Sequence, residues 1–138
     1  MRTYLVVANQ TLGSRELLEH IQVVMRSGPV QFHLVVPATP PREHLTWTEG
    51  SARSIAAAQL ERALERMSGA GAMVTGEVGD GNPALAVNDA LHRHNVDEVI
   101  VSTLPEGTSR WLKRGLPDKI RKRHDLPVTH VVGNPEPA

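Results

Sequence analysis

No cysteine occurs among the 138 residues, which excludes disulfides, thiol nucleophiles and cysteine-based zinc sites. Aromatic residues are scarce as well. One Phe, one Tyr and two Trp are too few for a platform that stacks nucleic-acid bases, so nucleic acid is not an expected partner. Neither sign of charge is in excess: 15 Lys plus Arg stand against 15 Asp plus Glu. Bulk electrostatics therefore selects neither nucleic acid nor a membrane. Long apolar runs are missing too. The opening, Met1-Arg2-Thr3-Tyr4-Leu5-Val6-Val7-Ala8-Asn9, holds too short a run for a signal peptide or a membrane span. A cytoplasmic location is the default expectation.

What is present is an alternation of two periodicities. Hydrophobic residues make up 40% and charged residues 22%, ordinary for one globular domain able to bury roughly 70% of its unfolded surface. Tyr4–Ala8 reads as a strand, and Ser14 caps a helix with Leu17, Leu18, Ile21, Val24 and Met25 at helical spacing. Gln31–Pro37 is a second strand, apolar without alternation, as a strand covered on both faces must be. After a proline-rich loop from Pro37 to Gly50, Ser51 opens the longest helix, with Ala52, Ile55, Ala56, Leu60, Ala63, Leu64 and Met67 as its stripe.

Met73–Val78 is a third strand. Asn82 then caps a helix that Pro83 begins; Leu85, Val87, Ala90 and Leu91 form its expected buried side. Val96–Val101 is the fourth strand. Pro117 starts the last helix, with Ile120 inward, and Val128–Val132 is the final strand. Strands alternating with helices mean βαβ units and a parallel sheet with right-handed crossovers. The expected architecture is a three-layer α/β sandwich with a five-stranded parallel sheet, one domain over residues 1–133, and a mobile tail over 134–138.

Ligands of such folds sit beyond the carboxyl ends of the strands, at the point where strand order reverses. The polar groups expected there are Asn9, Gln10 and Thr11 after the first strand, Thr39 after the second, and Ser102 and Thr103 after the fourth, with Asn9 near Ser102. They either form a pocket for a small polar or nucleotide-like ligand or satisfy the backbone of their own turns. Cations concentrate just beyond: Arg110, Lys113 and Arg114, then Lys119, Arg121, Lys122 and Arg123. The first three follow the ligand loop directly and are candidates for an anion clamp. The others suit the dipole of the last helix and a solvated face.

The seven histidines are scattered, and His92 and His94 lie two apart on a helix, facing different directions. No metal site and no cofactor is expected. His33 and His130 fall in strands, where backbone or water can pair with them, and Trp47 anchors the long loop. Ser14 and Ser102 lack a strained nucleophile elbow. Glu43, Glu49 and Glu106 show no acid/base spacing, so enzymatic turnover is not expected.

Several motifs in order resemble the universal stress protein family over nearly the whole chain. They are Val6-Val7-Ala8-Asn9-Gln10-Thr11 at the end of the first strand, Gly79-Asp80-Gly81-Asn82-Pro83 after the third, Asp97 before the fourth, and Pro127-Val128-Thr129-His130-Val131-Val132 at the close. The resemblance implies the HUP-type fold (adenine nucleotide alpha hydrolase-like) and a binding or signalling role in stress response. It also implies a homodimer paired through the last strand, Val128, Thr129, His130, Val131 and Val132. In the ATP-binding branch, a signature of Gly, two residues, Gly, nine residues, Gly and Ser/Thr holds the nucleotide.

Here those positions are Ser102, Pro105, Gly115 and Leu116. Pro105 has no N–H to give a phosphate, and Leu116 has no hydroxyl. Asn9 replaces an acidic residue. The expectation is a divergent member without the usual ATP site. The alternative is a nucleotide binder (AMP, ATP or a cyclic nucleotide) with a remodelled phosphate loop using Asn9, Gln10, Thr11, Val36, Thr39, Ser102, Thr103, Arg110, Lys113, Gly115 and Leu116. A nucleotide-dependent transferase or hydrolase is a weaker alternative.

Overall fold

In the computed structural model, which describes residues 1–38, 49–105 and 107–134, local signals in the chain become ten elements. Strand β1 (Arg2–Val7) leads to helix α1 (Arg15–Met25), and β2 (Val30–Pro37) precedes α2 (Glu49–Gly69). Then come β3 (Val74–Gly79), α3 (Pro83–Arg93), β4 (Glu98–Thr103), a single turn α4 (Arg110–Lys113), α5 (Leu116–His124) and β5 (Val128–Val132). All four strand pairings are parallel, in the order β3-β2-β1-β4-β5. The reversal of strand order therefore falls between β1 and β4. The expected α/β sandwich with a five-stranded parallel sheet is the observed one.

The continuous apolar strands are explained by two cores. Val6, Leu34 and Ile100 face Leu17 and Ile21 of α1 and Ala56, Leu60 and Met67 of α2. On the other face Leu5, Val7, Val35, Val99 and Val101 meet Ala86, Val87 and Ala90 of α3 and Leu116 and Ile120 of α5. Alternate residues of one strand thus enter opposite cores, which buries Tyr4–Val7 of β1, Phe32–Pro37 of β2 and Val99–Thr103 of β4 on both faces.

The caps form as their chemistry demands. Ser14 Oγ accepts from Leu17 N at 3.2 Å, and Asn82 Oδ1 accepts from Ala84 N at 3.0 Å. Asp97 ties the lower end of β4 to β1, its carboxylate accepting from Thr3 N at 2.8 Å. Among the described residues, no helix is long and apolar enough to cross a membrane.

One expectation about the helices needs correction. Leu85 is 48% exposed, and Ala86 takes the inward place. The reason is distance: a Cβ on Gly79 would lie 2.8 Å from Ala86 Cβ, so α3 approaches β3 too closely for a large side chain. The final helix is preceded by α4, capped by Ser109 Oγ, which accepts from Leu112 N at 3.2 Å. Asn134 donates its N–H to Glu16 Oε1 at 3.0 Å. Thr39, Glu43, His44, Trp47, Glu106 and residues 135–138 lie outside the described residues.

Candidate functional site

The switch point beyond β1 and β4 is bounded by short turns. After β1 the chain doubles back, with Leu12 N on Asn9 O at 3.2 Å and Ser14 N on Thr11 O at 3.0 Å. This turn aims Thr11 across the switch point, where its Oγ1 meets Ser102 Oγ at 2.6 Å. Both residues are buried, at 1% and 0% exposure. Asn9, expected near Ser102, instead donates Nδ2 to Pro37 O at 2.6 Å and binds the top of β1 to that of β2. The hydroxyl partner of Ser102 is Thr11 instead. Gln10 is exposed.

Thr103 is buried and also committed. Its Oγ1 donates to Leu104 O at 2.8 Å and lies 2.7 Å from His130 Nε2. A hydroxyl has one proton, so His130 must donate to Thr103 through Nε2–H. That is the reverse of the arrangement in which a histidine activates a hydroxyl. Burial pushes the His130 imidazole below its ordinary pKa. Val36 and Leu116 are core residues, at 0% and 2% exposure, so their side chains do not line the crevice. Sequence spacing alone does not reveal on which side of the sheet or helix they fall.

The loop after β4 folds on itself. Pro105 O accepts from Thr108 N at 3.1 Å and Ser109 N at 3.2 Å, which turns the chain into α4. Gly115 joins α4 to α5 with φ 66°, a left-handed conformation that costs an ordinary L-residue about 1–2 kcal/mol. The one glycine of the signature frame therefore has a backbone reason to be there. Arg110, Lys113 and Arg114 are exposed. Among the described residues no carboxylate lies within salt-bridge reach of them, whereas Arg121 is engaged by Asp118 at 2.6 Å.

At the sheet edge, Val99 N bonds Pro127 O at 3.0 Å, so strand alternation turns the Val128 and His130 carbonyls outward. Arg121 caps the first, its Nη2 donating to Val128 O at 3.2 Å. Val132 is an exposed apolar residue on the same strand.

One cluster escapes the sequence reading altogether. His33 of β2, Glu77 of β3 and His94 at the end of α3 converge near the opposite ends of the strands, their ligand-capable atoms within 4.8 Å of one another. Histidines that look scattered along the chain become neighbours because β2 pairs with β3 and α3 returns beside it. The only signal was His33 itself, a polar residue inside the apolar run Phe32–Val36. Burial pushes its pKa down, and the neighbouring His94 adds to the effect.

An open parallel sheet with helices on both faces and a reversal between β1 and β4 defines a doubly wound α/β domain. Comparison with solved structures narrows the fold. A universal stress protein in complex with cAMP matches with TM-score 0.60 at 19% identity, over 96% of this chain and 98% of that one. The universal stress protein from Archaeoglobus fulgidus matches with TM-score 0.60 at 15% identity, over 95% and 93%. No protein-family model matches the chain, and no curated protein matches it in sequence. The fold is that of the universal stress proteins.

Proposed function

We propose that this chain is a universal-stress-protein-like binding or signalling domain that lacks the glycine-cradled ATP site, is not an enzyme, and works as a cytoplasmic homodimer in stress response. The observation that carries the reading is the Thr11–Ser102 pair. Two hydroxyls that could meet a ligand at the switch point satisfy each other at 2.6 Å in a buried position. Pro105 replaces a glycine amide, and the Thr103–His130 pair has its proton pointing the wrong way for nucleophilic activation.

Dimerisation is supported by the edge position of β5, with Val132 exposed and the His130 carbonyl turned outward; an apolar edge strand is a template for pairing. Titration calorimetry with ATP, AMP and cAMP is the test of the first part: no heat with ATP is expected, and micromolar ATP binding overturns it. Light scattering at micromolar concentration tests the second: a dimer that becomes monomeric in Val132→Lys is expected, and a wild-type monomer overturns it.

A second reading has one specific support, the cAMP held by a structural neighbour. In it, a nucleotide phosphate is clamped by the exposed Arg110, Lys113 and Arg114 rather than by loop amides. Micromolar cAMP binding lost in Arg110→Ala would establish it, and silence across the panel removes it.

A further inference from the structure

We propose that His33, Glu77 and His94 form a binding site for a divalent transition metal ion of the zinc class at the β2–β3 side of the sheet. The site stands apart from the crevice at the strand ends and does not depend on what that crevice binds.

His33 is 7% exposed, and its Nε2 makes no hydrogen bond. Buried side-chain nitrogens are nearly always paired, so an orphan facing other donors calls for an explanation. The rest of the ring is well held: Nδ1 lies 2.8 Å from Thr75 Oγ1, its register neighbour across the parallel ladder. In the tautomer that a metal requires, Nδ1–H donates to that hydroxyl and the Nε2 lone pair points into the cluster. This is how proteins orient a ligating imidazole, fixing the tautomer through the far nitrogen.

Glu77 follows Thr75 on the same face of β3. Arg93 engages one of its oxygens, Oε1, at 2.6 Å. The other, Oε2, is 3.4 Å from His33 Nε2 and 3.8 Å from His94 Nε2. Two atoms bound tetrahedrally to zinc at its usual bond lengths lie about 3.4 Å apart. The His33–Glu77 spacing already has that value, and His94 completes the set by a rotation that shortens its 3.8 Å spacing from Glu77 Oε2. His94 has room for it: its side chain is 38% exposed and sits at the helix C-cap, its ring tilted by 36° against that of His33 at 4.1 Å between centroids.

Two imidazoles and one carboxylate suit a borderline ion such as zinc, and poorly suit magnesium or calcium, which require oxygen. Three protein ligands leave a fourth position for water or another small ligand. That side opens on a cavity of about 390 Å³ lined in part by Gln31, Thr75, Arg93 and Asn95.

The test uses the full chain without an affinity tag. Cobalt(II) is titrated as a spectroscopic stand-in and zinc by calorimetry. Wild type is expected to bind one ion with the intense visible bands of a four-coordinate site, unaffected by millimolar magnesium. His94→Ala, a partly exposed change that leaves the core intact, is expected to weaken binding at least tenfold, since even outer-shell partners are worth about 10–100-fold. Glu77→Gln is expected to do the same, and His92→Ala to change nothing. Equal binding by wild type and His94→Ala, or loss of binding in His92→Ala, overturns the proposal. So does a wild-type chain that binds neither metal.

Discussion

At the C-terminal ends of β1 and β4, Thr11 and Ser102 meet at 2.6 Å and satisfy each other. Toward the other end of the sheet, His33 Nε2 has a carboxylate oxygen 3.4 Å away and no hydrogen bond. Both places are polar, yet one is closed on itself and the other holds a buried ring nitrogen without a hydrogen bond. In this fold the switch point is where ligands are expected, and there the polar groups have become mortar between strands. Unspent coordinating capacity lies instead beside the sheet edge, among a histidine on β2, a glutamate on β3 and a histidine ending α3. A place in a fold confers opportunity, and the side chains decide whether it is kept.

That contrast can be broken most directly at Ser102. Ser102→Ala leaves the Thr11 hydroxyl buried without a partner, and urea unfolding should report a loss of about 1–3 kcal/mol. Adding Thr11→Val should recover much of it, because both partners are then apolar. A double variant as weak as the sum of the singles would mean the pair is not what closes the crevice.

Gly115 comes next. Gly115→Ala forces a methyl-bearing residue to φ 66° and should cost about 1–2 kcal/mol, while Gly115→Asn should cost less because Asn tolerates that region. An Ala variant of full stability would leave the glycine without a backbone role and return it to ligand binding.

A smaller effect is expected from pH. The His124 and His130 imidazoles are both held below their ordinary pKa, chiefly by burial. Between their lowered folded values and the unfolded value of about 6.5, the unfolded chain binds more protons, so stability rises with pH. The contribution is fully present above that value and is lost as pH falls toward the folded pKa. Thermal unfolding should therefore show a midpoint flat from neutral pH upward and declining below about 6.5. His130→Gln should flatten part of the decline.

The smallest expected change is at the open end. His33→Leu combined with Thr75→Val removes the orphan nitrogen together with the partner of the other one, and should alter stability by less than about 1 kcal/mol. A loss as large as that of Ser102→Ala would show that the two ends are built alike.

Much of this molecule is written locally and could be read before any coordinates. Ser14 and Asn82 cap the helices they were expected to cap because a cap concerns only its next three residues. The apolar runs of β1, β2 and β4 identify inner strands for the same local reason. What depends on distance between elements was not legible. Leu85 and Ala86 exchange roles because Gly79 lets α3 come close, a fact carried by another element. Thr11 rather than Asn9 reaches Ser102 because of the course of a turn. The His33–Glu77–His94 cluster draws on three elements and exists only through β2–β3 register and the return of α3.

The central position of β1 has a consequence for how this chain comes into being. One edge of β1 is covered by β2, which follows directly, but the other waits for β4. Thr3 and Asp97, which close that seam, are 94 positions apart. At a synthesis rate of about 5–20 residues per second, an emerging chain holds the bare Leu5-Val6-Val7 edge open for roughly 5–20 s. The innermost strand of the finished protein is thus the one whose second side is sealed late, and during that interval it is the segment a chaperone or a neighbouring nascent chain would meet.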